Sequence, residues 1–266
     1  MSDKNQYVWG MRNVMRLVKK IVEKRPVIHC ITNIVTVNDC ANILLAIGAS
    51  PIMAHHKDEV AEITRGTSAL VCNMGAIEDF EAMINAGKVA SSLGHPIVID
   101  PVGVSGSTYR REKCNELIEM VQTTCIRGNY NEILALIEDR NTAVGVDATL
   151  KNRDNLLAKK MAEYAKEKSV ILVASGAVDI ITDGYNTEYV ERGNPMMAMI
   201  TGTGCMSTAV QAAFLSLDKS LEASVNACSY IGMAGEIAAK KTMEKDAGTM
   251  TFRNFFIDEI YRMREK

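Results

Sequence analysis

Val170-Ile171-Leu172-Val173-Ala174-Ser175-Gly176 is a short apolar run, rich in β-branched residues, that stops at a serine and a glycine. Its length and composition predict a buried strand, and the helical pattern over residues 154–168 just before it predicts a helix that leads in. The same alternation runs back to the start of the chain. Residues 10–24 place Val14, Leu17, Val18 and Ile21 on one helical side, and Pro26 ends that helix. Strands are then predicted at 27–31, 50–53, 68–73, 96–101 and 124–127, with helices at 36–47, 57–64, 77–93, 109–122 and 129–138 between and after them. Residues 139–153 are polar and irregular, which predicts a mobile loop. Beyond Gly176 the rhythm changes. Residues 178–182 and 185–190 flank Asp183-Gly184, a pair suited to a tight turn that requires positive φ, and so predict a hairpin. Helices at 203–217, 221–243 and 251–264 complete the chain. Strands alternating with helices argue for a mainly parallel sheet covered by helices on both faces. With no repeat or linker to divide it, residues 1–266 read as one α/β domain.

Composition narrows the function classes. The chain has 266 residues, 47% hydrophobic and 23% charged, with a net charge of −2, which fits an ordinary soluble globular protein. Dispersed Lys and Arg give no footprint for nucleic acid, and no run approaches the roughly 18 apolar residues of a membrane span. Seven cysteines without C-x-x-C spacing or a disulfide framework predict a reducing, cytoplasmic setting.

In open α/β sheets ligands lie beyond the carboxyl ends of the parallel strands. Several predicted strands end there in polar or glycine residues: Thr32-Asn33, Asn73, Asp100-Pro101-Val102-Gly103, Arg127-Gly128-Asn129 and Ser175-Gly176. Met199-Ile200-Thr201-Gly202-Thr203-Gly204-Cys205-Met206-Ser207 adds a glycine turn opening into a helix whose apolar positions, Met206, Val210, Ala213, Phe214 and Leu217, mark one buried face. Unpaired amides and the helix dipole favour an anion at such an N-terminus, and phosphate is the natural candidate. The plain alternative is a helix capped by Thr203 with no ligand.

Asp100 suits either a hydrated Mg²⁺ or an Asp-Pro turn, and Glu132 either joins it on the metal or complements the dipole at a helix start. Arg127 offers a fork for phosphate, or a surface ion pair. Ser175 offers a hydroxyl near a nucleotide, or a strand-to-hairpin turn. Cys205, in the first helical turn, is expected to have its thiol pKa lowered by the helix N-terminus and to accept a proton from an alcohol; a small buried hydrophobe is the other reading. His29 and His95 read as structural, and His55 and His56 as loop residues near a pocket. No G-x-x-x-x-G-K-[ST] loop is present, and the late G-x-G lacks the setting of a dinucleotide fingerprint.

Ile31-Thr32-Asn33 with Val35 and Asn38-Asp39, Ser50-Pro51-Ile52-Met53, Asp100-Pro101-Val102-Gly103, Arg127-Gly128-Asn129, Ser175-Gly176 and Thr201-Gly202-Thr203-Gly204-Cys205 together resemble hydroxyethylthiazole kinase, a thiamin-salvage branch of the ribokinase-like superfamily. The resemblance spans about residues 20–264 in order. It implies a ribokinase-like fold, ATP- and Mg²⁺-dependent phosphorylation of the alcohol of 4-methyl-5-(2-hydroxyethyl)thiazole, and a homotrimer with active sites between subunits. It implies that Met53 and Gly202 contact the thiazole, that Arg127, Ser175 and Gly204 contact ATP, and that Asp100 and Glu132 accompany Mg²⁺. Cys205 stands where most sugar-kinase relatives carry an aspartate base. Ser175 replaces a threonine that also occurs there, and Tyr130 is bulkier than expected. Three alternatives remain at this point. One is a hydroxymethylpyrimidine or sugar kinase of the same superfamily; another is a non-catalytic sensor on the same fold. The third, an acyl-transfer enzyme using Cys205, needs an activating histidine.

Overall fold

The computed structural model describes residues 3–139 and 150–265. The strands are β1 (Val27–Ile31), β2 (Ser50–Ile52), β3 (Ala69–Asn73), β4 (Ile97–Asp100), β5 (Cys125–Asn129), β6 (Ile171–Ser175), β7 (Asp179–Thr182) and β8 (Thr187–Val190). They form one eight-stranded sheet in the order β2-β1-β3-β4-β5-β6-β7-β8, parallel from β2 to β6 and antiparallel at β7 and β8.

Alternation along each strand sorts the core into two layers. Val71 and Val98 face α1 (Asp3–Lys24), α2 (Val37–Ile47), α8 (Thr203–Leu215), α9 (Leu221–Glu244) and α10 (Thr249–Met263). Leu70, Cys72, Ile97 and Ile99 face the opposite way, towards α4 (Phe80–Leu93), α5 (Thr108–Met120), α6 (Tyr130–Glu138) and α7 (Leu150–Lys168), with the short α3 (Val60–Arg65) at the same face. The result is the three-layer α/β architecture that alternating strands and helices predict.

Four local expectations need correction. The helix predicted from residue 57 begins at Val60, because a turn closing from Glu59 N to His56 O at 3.1 Å occupies the preceding residues. The hairpin connection spans four residues, 183–186, since Thr182 pairs with Thr187. Asp183 Oδ1 accepts from the amides of Tyr185 and Asn186 at 2.9 and 2.8 Å and widens the turn, while Gly184 takes the positive φ of 87°. Helix α7 begins at Leu150, inside the segment expected as a loop, and residues 140–149 lie outside the described residues. Finally, α8 is not one-sided: from Cys205 to Leu215 every residue is buried. The sheet covers one side and α2 and α9 cover others, so the glycine turn feeds the central helix of its layer.

Candidate active site

The parallel strands bring their carboxyl ends to one rim, where Asn73 pairs in register with Asp100, and Asn129 with Ser175. Helix α8 points its N-terminus at this rim. Its N-cap is Gly202 at φ 90°, with no capping side chain, so Thr203 is not the cap; its hydroxyl turns back to Met197 O at 2.7 Å. A Cβ at Gly202 would stand 2.9 Å from Thr36 Cγ2, so both backbone and packing demand glycine. A Cβ at Gly204 would meet no atom within 4 Å. The protein's own packing does not fill that space, and it opens onto a cavity of about 430 Å³.

Asp100, Arg127, Glu132, Ser175, Gly202, Gly204 and Cys205 all line this cavity. Met53 does not. It is partly buried just beyond β2 and packs its side chain against the α1/α8/α9 core layer.

Asp100 is 4% exposed and accepts at Oδ2 from Asn73 Nδ2 at 2.8 Å and from the Thr208 hydroxyl at 3.1 Å. Burial, followed by the nearby Glu132 carboxylate, pushes its pKa up to about 6, against the lowering influence of Arg127 and the Thr208 hydrogen bond. Glu132 sits at N3 of α6 in a capping box with Asn129. Its oxygens accept from Asn129 N at 2.9 Å and Gly103 N at 3.1 Å, and burial raises its pKa despite these bonds. The helix-start role and the cavity position therefore coexist.

Arg127 is no surface ion pair: it is 6% exposed on β5 and donates from Nη1 to Gly204 O at 3.3 Å, tying the strand to the glycine turn. The Ser175 hydroxyl donates to Gly128 O at 3.1 Å, bracing the adjacent strand end.

Cys205 overturns its expected electrostatics. Burial, then the Asp100 carboxylate, push its thiol up to about 11, outweighing side-chain hydrogen bonds from Thr36, Asn33 and Asn73. It is a neutral thiol near pH 7, not a thiolate-rich group. Asn33 and Asn73 direct their Nδ2 groups at Sγ from 3.5 and 3.2 Å, and no histidine lines the cavity to activate a nucleophilic cysteine. His29 is buried, with Nδ1 and Nε2 paired to Thr64 Oγ1 at 2.9 Å and Ala54 O at 2.8 Å; His55 and His56 are exposed beside Asp79 and Asp58.

Sequence reading noticed Asn33 and Asn73 only as polar strand ends and assigned no role to Thr208 or Arg110. Thr208 lies four residues after Gly204, one helical turn on, which was a readable signal. The convergence of the two asparagines on Cys205, 172 and 132 residues away, was not.

Among the described residues no group of three or more His, Cys, Asp or Glu side chains is disposed to hold a metal. The donor set still fits Mg²⁺, which commonly takes one or two carboxylates and completes its shell with phosphate oxygens and water. Two buried carboxylates share a cavity, and the charge of one raises the pKa of the other, an arrangement that a cation would relieve.

Sheet order, layering and the placement of the glycine turn define the ribokinase-like class of α/β protein. A ribokinase-like superfamily protein from Enterococcus faecalis aligns over 95% of each chain with a TM-score of 0.63 at 11% identity, which speaks for the fold alone. Residues 18–266 match the profile described as the hydroxyethylthiazole kinase family, and the chain belongs to that family. The hydroxyethylthiazole kinase of Clostridium acetobutylicum is 42% identical over 248 residues, covering 90% of each chain. The structure of the hydroxyethylthiazole kinase protein from Pyrococcus horikoshii aligns with a TM-score of 0.84 at 33% identity, over 94% of this chain and 93% of that one.

Proposed function

We infer that this chain transfers the γ-phosphoryl group of ATP to the hydroxyl of 4-methyl-5-(2-hydroxyethyl)thiazole, releasing ADP, as a kinase of thiamin salvage. The observation that carries this reading is one cavity in which Asp100, Arg127, Glu132 and Cys205 surround an uncapped helix N-terminus.

Phosphoryl transfer has a loose transition state, so alignment and charge neutralisation matter more than covalent help. The amides of Thr203, Gly204 and Cys205, which lie in the first turn of α8 where helix geometry supplies no acceptor, receive the phosphate oxygens. Arg127 holds that turn to β5 and offers the rest of its guanidinium to the phosphate chain. Asp100 and Glu132 would hold a hydrated Mg²⁺, which supplies charge neutralisation to the phosphates when bound. A second cavity of about 580 Å³ shares Arg127, Asn129, Ser175 and Gly204 with the first and runs along the 192–198 strap. It is the place for the base and ribose, with the Ser175 hydroxyl beside them. Gly202 takes the thiazole end. Only the small thiolate fraction of Cys205 accepts the alcohol proton, so its contribution comes second to alignment.

The chain acts as a homotrimer whose sites lie between copies. Ile34, Val35 and Met199 are 90%, 68% and 66% exposed, an apolar rim beside the cavity that a second copy would cover. Met53, which does not reach its own cavity, then meets the thiazole in a neighbour's. The single sheet supports reading the chain as one domain, and seven free thiols, all buried, support the reducing cytoplasm.

ADP release with Mg·ATP, measured with the thiazole alcohol, hydroxymethylpyrimidine and ribose in turn, tests the reading. Turnover with the thiazole alone supports it. Turnover with either of the others alone, or ATP binding without any turnover, refutes it in favour of a related kinase or a sensor.

A further inference from the structure

Two adjacent arginines open α5 and go separate ways. Arg111 is buried; its Nε donates to Asp139 Oδ1 at 3.1 Å and its Nη1 to Val104 O at 3.3 Å, so it ties the 101–106 turn to the end of α6. Arg110 is half-buried and lines the phosphate cavity. Ser107 fixes its backbone by capping the helix, accepting from Arg110 N at 3.2 Å. Its side chain then lies across Gly103: a Cβ built there would stand 3.2 Å from Arg110 Cδ and 3.3 Å from Nη1. Gly103 has φ 83° and donates its amide to Glu132. The Asp100-Pro101-Val102-Gly103 turn thus carries a carboxylate at one end and supports a guanidinium at the other.

Among the described residues that guanidinium has no hydrogen-bond or ion-pair partner, whereas Arg111 and Arg127 are each engaged with protein oxygens. Arg110 lines the first cavity, with Asp100 and Cys205, but not the second. Its reach is to the transferring end of the nucleotide.

We propose that Arg110 is a further catalytic residue, which binds the γ-phosphoryl group during its transfer in the cavity that the α8 N-terminus also lines. This rests on the kinase reading above and deepens it. A phosphoryl group in flight spreads its charge over three equatorial oxygens, and a planar fork of donors matches two of them at once. The α8 amides and Arg110 would then both hold the group. Because ADP lacks that group, Arg110 contributes to turnover and little to ADP affinity.

The test uses Arg110→Ala and Arg110→Lys in the full chain, beside the wild type, with thiazole-dependent ADP release for kcat and calorimetry for ADP binding. Loss of a single transition-state donor is expected to lower kcat by about 10²–10³-fold in Arg110→Ala, with ADP affinity altered by less than roughly threefold. Arg110→Lys keeps the charge without the fork and falls between. Added guanidinium ion restores part of the alanine variant's turnover and none of that lost in Asp100→Ala. The proposal is overturned if folded Arg110→Ala keeps kcat within about threefold of wild type, if its deficit lies in ADP affinity, or if guanidinium gives no rescue. Should Arg110→Ala fail to fold, Arg110→Lys alone decides: an unchanged kcat refutes the assignment. A wild type inactive on the thiazole alcohol refutes the kinase reading itself, a result distinct from an active wild type that ignores Arg110.

Discussion

Replacing Asn73 by alanine should damage stability and turnover together, because one buried carboxamide holds the site's acid to its thiol. Asn73 is 1% exposed at the end of β3. Its Nδ2 donates to Asp100 Oδ2 at 2.8 Å and to Cys205 Sγ at 3.2 Å, and its Oδ1 accepts from Asn33 Nδ2 at 3.1 Å and Gly75 N at 2.9 Å. Both of its N–H donors and both lone pairs of its oxygen are committed. A bond to a carboxylate contributes about 1.5–3 kcal/mol and a neutral one about 1 kcal/mol, and the groups left behind are buried. Shared partners make the sum less than additive, so the expected loss is about 3 kcal/mol. For a chain of this size that is roughly 6–12 °C in Tm, at about 2–4 °C per kcal/mol.

The same deletion frees Asp100 and Cys205 to shift, and a misplacement of about 1 Å at a reacting centre typically reduces turnover about 10²-fold. Calorimetric unfolding and thiazole-dependent ADP release, measured on the same preparation, give both numbers. Asn73→Ala with a Tm within about 2 °C of wild type and kcat/KM within about twofold would sink the reasoning.

The two glycines of the α8 turn should respond oppositely. Gly202→Ala forces a side chain to φ 90° and into Thr36 and should destabilise by about 1–2 kcal/mol. Gly204→Ala should fold at least as well as wild type yet lose most turnover, because the methyl occupies ligand space; chemical denaturation beside kinetics separates the two. Cys205→Ala should keep measurable turnover, while Asp100→Ala loses most of it. With the Cys205 thiol pushed up to about 11, a mechanism led by its thiolate would speed up about tenfold per pH unit from 7 to 9, and we expect a much flatter kcat profile. His29 is held neutral, its pKa lowered by burial, so the folded state takes up fewer protons than the unfolded chain in acid. Its stabilisation is complete above about pH 6.5 and is lost as pH falls below that value. His29→Gln should therefore show a shallower fall in Tm between pH 7 and 5 than wild type.

Strand positions and the sheet's mainly parallel character were legible because each depends on local composition and length. So were the carboxyl-end positions of Asp100 and Ser175, which follow from where the apolar runs stop, whereas β5 continues two residues past Arg127 to Asn129. The capping box at Asn129 and Glu132 has a three-residue spacing that sequence displays directly. Burial around α8 was not legible, since its polar Ser207, Thr208 and Gln211 suggest a wet side; in the structure Thr208 bonds Asp100 and Ser207 bonds the Thr203 carbonyl. The thiol of Cys205 shows the limit most clearly. Helix position argued for a lowered pKa, and the burial and neighbouring carboxylate that raise it come from residues distant in the chain. Asp183-Gly184 signalled a turn correctly, but its length depended on which amides the Asp183 carboxylate accepts.

The most direct test of the central claim follows the phosphoryl group itself, from ATP labelled at the γ position to the thiazole alcohol. The account predicts label on the hydroxyethyl oxygen in proportion to ADP formed, and almost none with Asp100→Ala. Label appearing only as inorganic phosphate, or on the protein, would contradict direct transfer in this cavity.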